Sequence, residues 1–158
     1  MAFGAPRCQS VSGKIALQPA PGACTDLGVT VLQDPITGVE QCFSVTIQGV
    51  LKGSGVAGVY AQDVQGLTVP TLSPLLVFGP SPFNSNVRQV LTAKSKLKLK
   101  GGDLESQEII LITPAGDVVE QAQLLSGTGA YAGATGSLVI LGNSIGQDAK
   151  YEGRVCYP

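Results

Sequence analysis

The sequence predicts an all-β protein, and three features indicate this class: the composition, the density of turn residues and the period of the apolar positions. The 158 residues are 44% hydrophobic but only 13% charged, and they include 21 glycines and 10 prolines. Low charge density with many turn residues is typical of many short strands. No stretch shows the 3.6-residue amphipathic period of a helix, and no shift in composition marks a second domain. We therefore expect a single β domain over residues 1–158.

Alternating apolar residues predict the first strands. From Gln9 to Leu17 the large apolar side chains fall only on odd positions, which is the period of a half-buried strand. The same alternation runs from Phe43 to Leu51, and small residues carry a third strand from Gly53 to Tyr60. Shorter apolar runs at 67–69 and 75–78 are interrupted by prolines, which indicate edge or loop geometry, and 79–86 is predicted to be an exposed loop.

The second half of the chain continues the series of strands. The remaining strands are predicted at 87–100, 104–113, 118–125, 137–141 and 149–156, with a turn at 114–117. In the first of them four lysines at 94, 96, 98 and 100 alternate with other residues, so all four ammonium groups share one face. We interpret this face as solvated and as a deterrent to edge pairing.

Consecutive antiparallel strands joined by short turns predict a meander. Its natural completion is an eight-stranded antiparallel up-and-down barrel, because closure removes the unpaired edges of the sheet. An immunoglobulin-like sandwich is the alternative, but the chain has no tryptophan for the core position of that fold.

Four cysteines, Cys8, Cys24, Cys42 and Cys156, suggest two disulfides. With no histidine in the chain and no Cys-x-x-Cys pair, a zinc site is poorly supported. Of the three possible connectivities we favour Cys24 with Cys42, which would staple a Pro/Gly-rich loop, and Cys8 with Cys156, which would tie the first strand to the last. Four buried free thiols are the alternative.

Disulfides predict a secreted protein or one in the lumen of the secretory pathway. Residues 1–7 lack the charged segment and the apolar core of a signal peptide, so we expect that such a peptide was removed and that Met1 is an expression start.

No apolar run approaches the roughly 20 residues of a membrane helix, and we expect no membrane partner. A formal net charge of -1 without a basic surface argues against nucleic acid. The absence of histidine excludes a Ser-His-Asp triad and imidazole metal sites, and we expect no bound metal.

A glycine-rich segment at 126–138, Ser-Gly-Thr-Gly-Ala-Tyr-Ala-Gly-Ala-Thr-Gly-Ser-Leu, frames Tyr131 with four glycines. A dinucleotide-binding loop would be followed by a long amphipathic helix, whereas a strand follows here. The segment therefore predicts a tight turn into a strand, with Tyr131 as its anchor.

A Gly-Asp-Leu strand at 102–105, the glycine-rich segment and a closing strand with Tyr151 and Gly153 stand in an order that resembles the allene oxide cyclase and dirigent superfamily of small β-barrels. The resemblance covers the chain from roughly Val87 onward. It implies an eight-stranded antiparallel barrel, often trimeric or dimeric, whose interior binds a hydrophobic reactive intermediate, usually without a cofactor. Members of these families steer cyclisation, phenoxy-radical coupling or a pericyclic step, and the fold does not determine which.

Candidate site residues follow if the odd positions of the strands face the lumen. Glu105 is then the only acid inside, and an apolar barrel would destabilise its charged form, which makes it a candidate general acid or base. Gln107 is a second catalytic candidate, since its amide can hold a substrate carbonyl. The alternative for Glu105 is a position in solvent near a strand end. Candidate substrate-binding residues, for which ordinary barrel packing is the alternative, are Tyr60, Gln62, Gln89, Ser95, Tyr151, Phe43 and Leu97.

These residues suggest a cofactor-independent cyclase or pericyclase of secondary metabolism, similar to a Diels–Alderase, that controls the stereochemistry of a hydrophobic small molecule. The first alternative is a dirigent-type protein that orients radicals made by a separate oxidase. The second is a secreted barrel that binds a hydrophobic ligand without catalysis. Apolar residues of the opposite strand faces would bury the interface of a trimer or dimer, and they are Ile110, Ile112, Val119 and Val139.

Overall fold

The computed structural model describes residues 6–34, 37–64, 89–113 and 117–158, and these residues form a closed β-barrel. Its strands are β1 (Arg7–Pro19), β2 (Cys42–Gly49), β3 (Gly53–Val64), β4 (Gln89–Leu99), β5 (Gly102–Ile112), β6 (Val118–Gly127), β7 (Thr135–Leu141) and β8 (Ala149–Tyr157). Each strand pairs antiparallel with the next, and β8 pairs with β1. The predicted eight-stranded up-and-down barrel is confirmed.

Some predicted features cannot be placed. The short strands at 67–69 and 75–78, the loop at 79–86 and most of the turn at 114–117 lie outside the described residues. In the ranges that the structure covers, helix is limited to the 3₁₀ turns Thr25–Leu27 and Gly129–Tyr131. No helix in these ranges has the length and apolar character needed to cross a membrane.

Both predicted disulfides are confirmed. Cys8 lies opposite Cys156 in the register of β1 and β8, so the first disulfide joins the two strands that close the barrel. The second joins Cys24 to Cys42 and ties the connection between β1 and β2 to the start of β2. Cys24 and Cys42 are buried with Leu27 in a small hydrophobic cluster of their own.

One end of the barrel is filled by side chains. The connections at 50–52, 100–101 and 128–134 lie at this end, together with the start of β1 and the end of β8. Tyr151 is 2% exposed here, and its Oη accepts a hydrogen bond from the Leu51 backbone N–H at 3.0 Å and lies 3.3 Å from the Leu51 carbonyl oxygen, to which it donates. We refer to it as the closed end.

The glycine-rich segment completes the closed end. Gly129 has a φ of +56°, and a Cβ at this position would collide with the carbonyl oxygen of Gly101. The close approach lets the Ala130 N–H donate to that carbonyl at 2.8 Å. Tyr131 is buried, with its ring centroid 6.2 Å from that of Tyr157. The predicted role of the segment, a tight turn anchored by Tyr131 that leads into β7, is confirmed.

Candidate functional site

A cavity of about 430 Å³ occupies the other half of the barrel. It lies between the closed end and the connections at 20–41 and 142–148, and its size falls in the range of small-molecule sites. Most of its wall is apolar. The larger apolar side chains that line it include Ile15, Leu17, Phe43, Val45, Ile47, Val59, Leu91, Leu97, Ile110, Ile112, Leu138 and Ile140.

A strip of polar side chains crosses this wall on β4, β5 and β6. Ser95 and Ser106 lie directly opposite each other on β4 and β5, and their Oγ atoms are 2.6 Å apart. Ser106 Oγ donates a hydrogen bond to Glu108 Oε1 at 2.9 Å. In the contact between the two serines, either hydroxyl can be the donor. The two serines thus form a chain of hydrogen bonds that ends on the Glu108 carboxyl.

Glu120 on β6 is the second acid of this strip. Glu108 lies opposite Ala122, and Glu120 lies opposite Ile110, so the two acids are diagonal neighbours on adjacent strands. Glu108 is 6% exposed and Glu120 is 8% exposed. Among the described residues, Glu120 has no hydrogen-bond partner. The lumen therefore holds two buried carboxyl groups, one of which is hydrogen-bonded by the protein.

Burial raises the pKa of both acids, but within the described residues only one of them has hydrogen bonds that oppose the rise. For Glu108, side-chain hydrogen bonds with Ser95 and Ser106 oppose it. Burial also raises the pKa of Glu120 well above its usual value, and the nearby charge of Glu108 raises this pKa further. Glu120, which no hydrogen bond among the described residues stabilises in its charged form, holds a proton more readily, and Glu108, which accepts from Ser106, is the better acceptor. A paired proton donor and acceptor in an apolar chamber can protonate, deprotonate or polarise a bound molecule.

The described lining of the cavity contains acids but neither lysine nor arginine. The other two acids in it are Asp34 and Glu40, both on the connection between β1 and β2. Asp34 Oδ1 accepts hydrogen bonds from the backbone N–H of Thr37 at 2.7 Å and from its hydroxyl at 3.0 Å. The backbone N–H of Gly22 donates to Glu40. Across the described ranges, no three Asp, Glu or Cys side chains group as metal ligands.

Glu120→Gln should change how the stability of the protein depends on pH. A carboxyl whose pKa is raised by folding binds its proton more tightly in the folded state, so its contribution to stability is present at low pH. That contribution is lost as pH rises from the usual pKa of 4.5 through the raised pKa of Glu120. We therefore expect the melting temperature of Glu120→Gln, relative to wild type, to increase between pH 4 and pH 8. Each kcal/mol corresponds to about 2–4 °C.

Thermal melts of both proteins in a series of buffers measure this effect. Glu105→Gln is the matched control, because it removes a carboxyl from the outer face of the barrel. A difference between Glu120→Gln and wild type that stays constant with pH would contradict the buried, protonated state of Glu120.

Several residues predicted to face the lumen do so. Phe43, Gln89, Ser95 and Leu97 line the cavity. Gln62 lies opposite lumen-facing Leu91, and its Oε1 accepts a hydrogen bond at 3.1 Å from Gln41, which also lines the cavity. Tyr151 also points inward, but it fills the closed end and does not line the cavity.

The prediction that Glu105, Gln107 and Tyr60 face the lumen is wrong. Glu105 lies on the outer face, with its two carboxylate oxygens each 3.7 Å from a lysine Nζ, of Lys94 and of Lys96. Gln107 Nε2 donates to Tyr60 Oη at 2.7 Å on the same surface. For Glu105 and Gln107 the reason is the phase of β5, whose even positions face inward, and for Tyr60 it is a shift in the register of β3 and β4 between Val59 and Ala61.

The same phase reverses the predicted faces of the apolar residues on β5. Ile110 and Ile112, expected on the outside, line the cavity, while Ile109 and Leu111 are exposed. Two residues of the polar strip, Ser106 and Glu108, were missed for this reason, and Glu120 was missed because the even positions of β6 also face inward. The lysine face of β4 is the signal for the missed residues of β5. Glu105 can pair with Lys96 only if it lies on the outer face with the lysines, and the even positions of β5 then face the lumen.

Comparisons with family models, with curated proteins and with solved structures found no match for this chain.

Proposed function

We propose that the barrel binds a hydrophobic small molecule in its lumen and catalyses its cyclisation without a cofactor, controlling the stereochemistry of the product. The observation that carries this proposal is the buried pair Glu108 and Glu120, which faces an apolar cavity of about 430 Å³. The resemblance of the sequence to the allene oxide cyclase and dirigent superfamily supports the same proposal.

Confinement supplies the first part of the catalysis. A flexible molecule with two reacting ends must give up most of its conformations to cyclise, and a rigid apolar chamber selects the folded ones in advance. Correct orientation of reacting groups lowers a barrier by about 7–11 kcal/mol in the best cases. The shape of the wall, from Phe43 on β2 to Ile140 on β7, then determines which stereoisomer forms.

The acid pair supplies the second part. The protonated Glu120 carboxyl donates a hydrogen bond to a carbonyl oxygen of the substrate and polarises it as charge develops in the transition state. Glu108, hydrogen-bonded by Ser106, stays the acceptor and stabilises positive charge that forms elsewhere in the molecule. Both groups act in a site walled by apolar side chains, where electrostatic interactions are stronger than in water.

We further propose that the protein works outside the cytoplasm. The two disulfides are compatible with a secreted protein or one in the secretory pathway, because the oxidising conditions there preserve such bonds.

An oligomer, as the sequence resemblance implies, would pack through the outer faces of β5, β6 and β7. Leu111, Val119 and Leu141 lie opposite one another in adjacent strands and are 38%, 43% and 49% exposed. We propose that a second copy of this chain covers this apolar row.

Cyclisation is tested with a panel of linear substrates that join a conjugated diene to an enone through chains of different length. In this reaction three π bonds are replaced by two new C–C bonds and one new C=C bond, so no oxidant or reductant is needed. We expect at least one member to cyclise faster with the protein than in buffer and to yield one enriched stereoisomer, measured by chiral chromatography. If members of the panel bind but none cyclises faster than in buffer, the proposal is wrong.

The same assay separates the alternatives. A dirigent-type protein changes the handedness of a coupled phenol only when a one-electron oxidant supplies radicals. A purely binding barrel retains the substrate without changing the rate or the isomer ratio.

A further inference from the structure

Two buried carboxyl groups are more than the polarisation of a carbonyl requires. One protonated acid suffices to donate a hydrogen bond, yet Glu108 and Glu120 lie together in the lumen at 6% and 8% exposure. A buried charge is costly unless an opposite charge or hydrogen bonds compensate for it. Something that binds in the lumen should therefore match this pair.

The protein itself provides no counter-charge in the lining that the structure describes. The strands beside the pair contribute Ala93 and Ser95 from β4 and Leu138 and Ile140 from β7. The remaining charged groups of the lining, Asp34 and Glu40, are themselves acidic. Of the nearest lysines, Lys94 and Lys96 have their Nζ atoms on the outer face, each 3.7 Å from an oxygen of Glu105.

The hydrogen bonding of the pair is also incomplete. Glu108 Oε1 accepts from Ser106 at 2.9 Å, which leaves acceptor capacity on this carboxyl. Glu120 lines the cavity and has no hydrogen-bond partner among the described residues. A buried polar group without a partner, facing a cavity, indicates that a ligand supplies the missing contact.

Resting on the proposed function, we infer that the molecule bound in the lumen is a hydrophobic amine whose protonated nitrogen lies between Glu108 and Glu120. An ammonium group offers N–H donors to both carboxyls and compensates for the charge of Glu108, and the hydrocarbon part of the molecule fits the apolar wall. A ligand carboxylate would bring a further negative charge into the same space, and the lumen would exclude it. A neutral alcohol would bind through a hydrogen bond alone.

The amine leaves the proton on Glu120 that the proposed function requires. The ammonium group pairs with the charge of the Glu108 carboxylate and donates a hydrogen bond to the carbonyl oxygen of the protonated Glu120 carboxyl.

Three probes of the same shape test this inference: 1-naphthylmethylamine, 1-naphthalenemethanol and 1-naphthoic acid, titrated by calorimetry at pH 7.5 in two buffers of different ionisation enthalpy. We expect the amine to bind about tenfold more tightly than the alcohol, since hydrogen bonds to charged groups are the stronger ones. The naphthoate should bind at least about tenfold more weakly than the alcohol. The enthalpy of amine binding should be the same in both buffers, because Glu120 keeps its proton.

Matched variants separate the effect of the pair from the effect of losing any two carboxyl groups. Glu108→Gln/Glu120→Gln removes both carboxyl groups from the lumen, and Asp103→Asn/Glu105→Gln removes two from the start and outer face of β5. The first variant should bring the affinities of the three probes together, and the second should leave their order unchanged. If the lumen double variant does not fold, Glu108→Gln alone should reduce the preference for the amine over the alcohol.

The outcomes distinguish this inference from the proposed function. If the alcohol binds but the amine binds no better, or the naphthoate binds best, the inference is wrong, but the result still supports binding in the lumen. If the preference for the amine persists in the lumen variants, the acid pair is not its cause and the inference is wrong. If none of the three probes binds, the proposed chamber fails and the inference fails with it.

Discussion

Glu120→Gln should lower kcat for cyclisation by about 10²- to 10³-fold, the effect expected from losing one aligned donor to a developing negative charge. The amide of glutamine has nearly the same shape as the protonated carboxyl, but it is a much weaker acid and cannot transfer a proton. The change leaves the apolar wall intact, so the substrate should still enter the lumen.

Glu105→Gln is the matched control for this variant. Both substitutions replace one carboxyl with one amide, but Glu105 lies on the outer face beside Lys94 and Lys96. We expect kcat of Glu105→Gln to stay within about twofold of wild type, since a partly exposed ion pair contributes little to either stability or catalysis. Equal losses in both variants, or a loss only in Glu105→Gln, would contradict the placement of the acid pair in the reaction.

The pH profile gives an independent readout of the same role. The protonated carboxyl of Glu120 is the reactive form, so kcat of the wild type should fall as pH rises through the raised pKa of this group. Glu120→Gln should lose that decline. A merely structural role for Glu120 would leave the shape of the profile unchanged.

Ala93→Phe should abolish binding in the lumen, with a loss of affinity of at least about 100-fold because the ring and the ligand cannot share the same space. Ala93 is 2% exposed, lines the cavity and lies directly opposite Glu108 in the register of β4 and β5. A phenyl ring at this position projects into the cavity beside the acid pair. The cavity gives the ring room, so we expect a loss of stability of no more than about 1–3 kcal/mol.

Ala61→Phe makes the same substitution one strand away. Ala61 is exposed on β3 and pairs with Thr92, the neighbour of Ala93 on β4, so its new ring points away from the lumen. Titration of 1-naphthalenemethanol into both variants should show normal affinity in Ala61→Phe and none in Ala93→Phe. Normal affinity in a folded Ala93→Phe would place the binding site elsewhere.

The barrel itself could be predicted because the signals for it are local and repeated. Alternation of apolar and polar residues predicts each strand without knowledge of its neighbours, and the short connections predict antiparallel pairing. Cys8 and Cys156 near the two ends of the chain indicate closure, which the pairing of β1 with β8 confirms.

Which face of β5 points into the lumen was harder to predict, because the second half of this strand is apolar on both faces. Ile109, Ile110, Leu111 and Ile112 follow one another, so the period of two is lost. The turn resolves the ambiguity. Leu99 pairs with Gly102 across the two residues Lys100 and Gly101, and this register pairs every odd position of β4 with an even position of β5. Inward Ser95 therefore requires inward Ser106, and Glu108 follows.

A bulge explains the error at Tyr60. The register of β3 and β4 shifts between Val59 and Ala61, and the extra residue reverses the alternation along β3. Val59 faces the lumen before the bulge and Gln62 lies opposite lumen-facing Leu91 after it. Nothing in the run Gly-Val-Tyr-Ala-Gln signals such a shift, because a bulge depends on the pairing of two strands.

A crystal structure of the protein soaked with a brominated 1-naphthalenemethanol tests the central claim most directly, since anomalous scattering locates the bromine atom unambiguously. We predict that the bromine lies inside the barrel among the apolar side chains of the lumen and that the hydroxyl of the probe lies within hydrogen-bond distance of the Glu120 carboxyl. A bromine bound on the outer surface, or a lumen filled by side chains with no space for the probe, would contradict the claim that the barrel is a binding chamber.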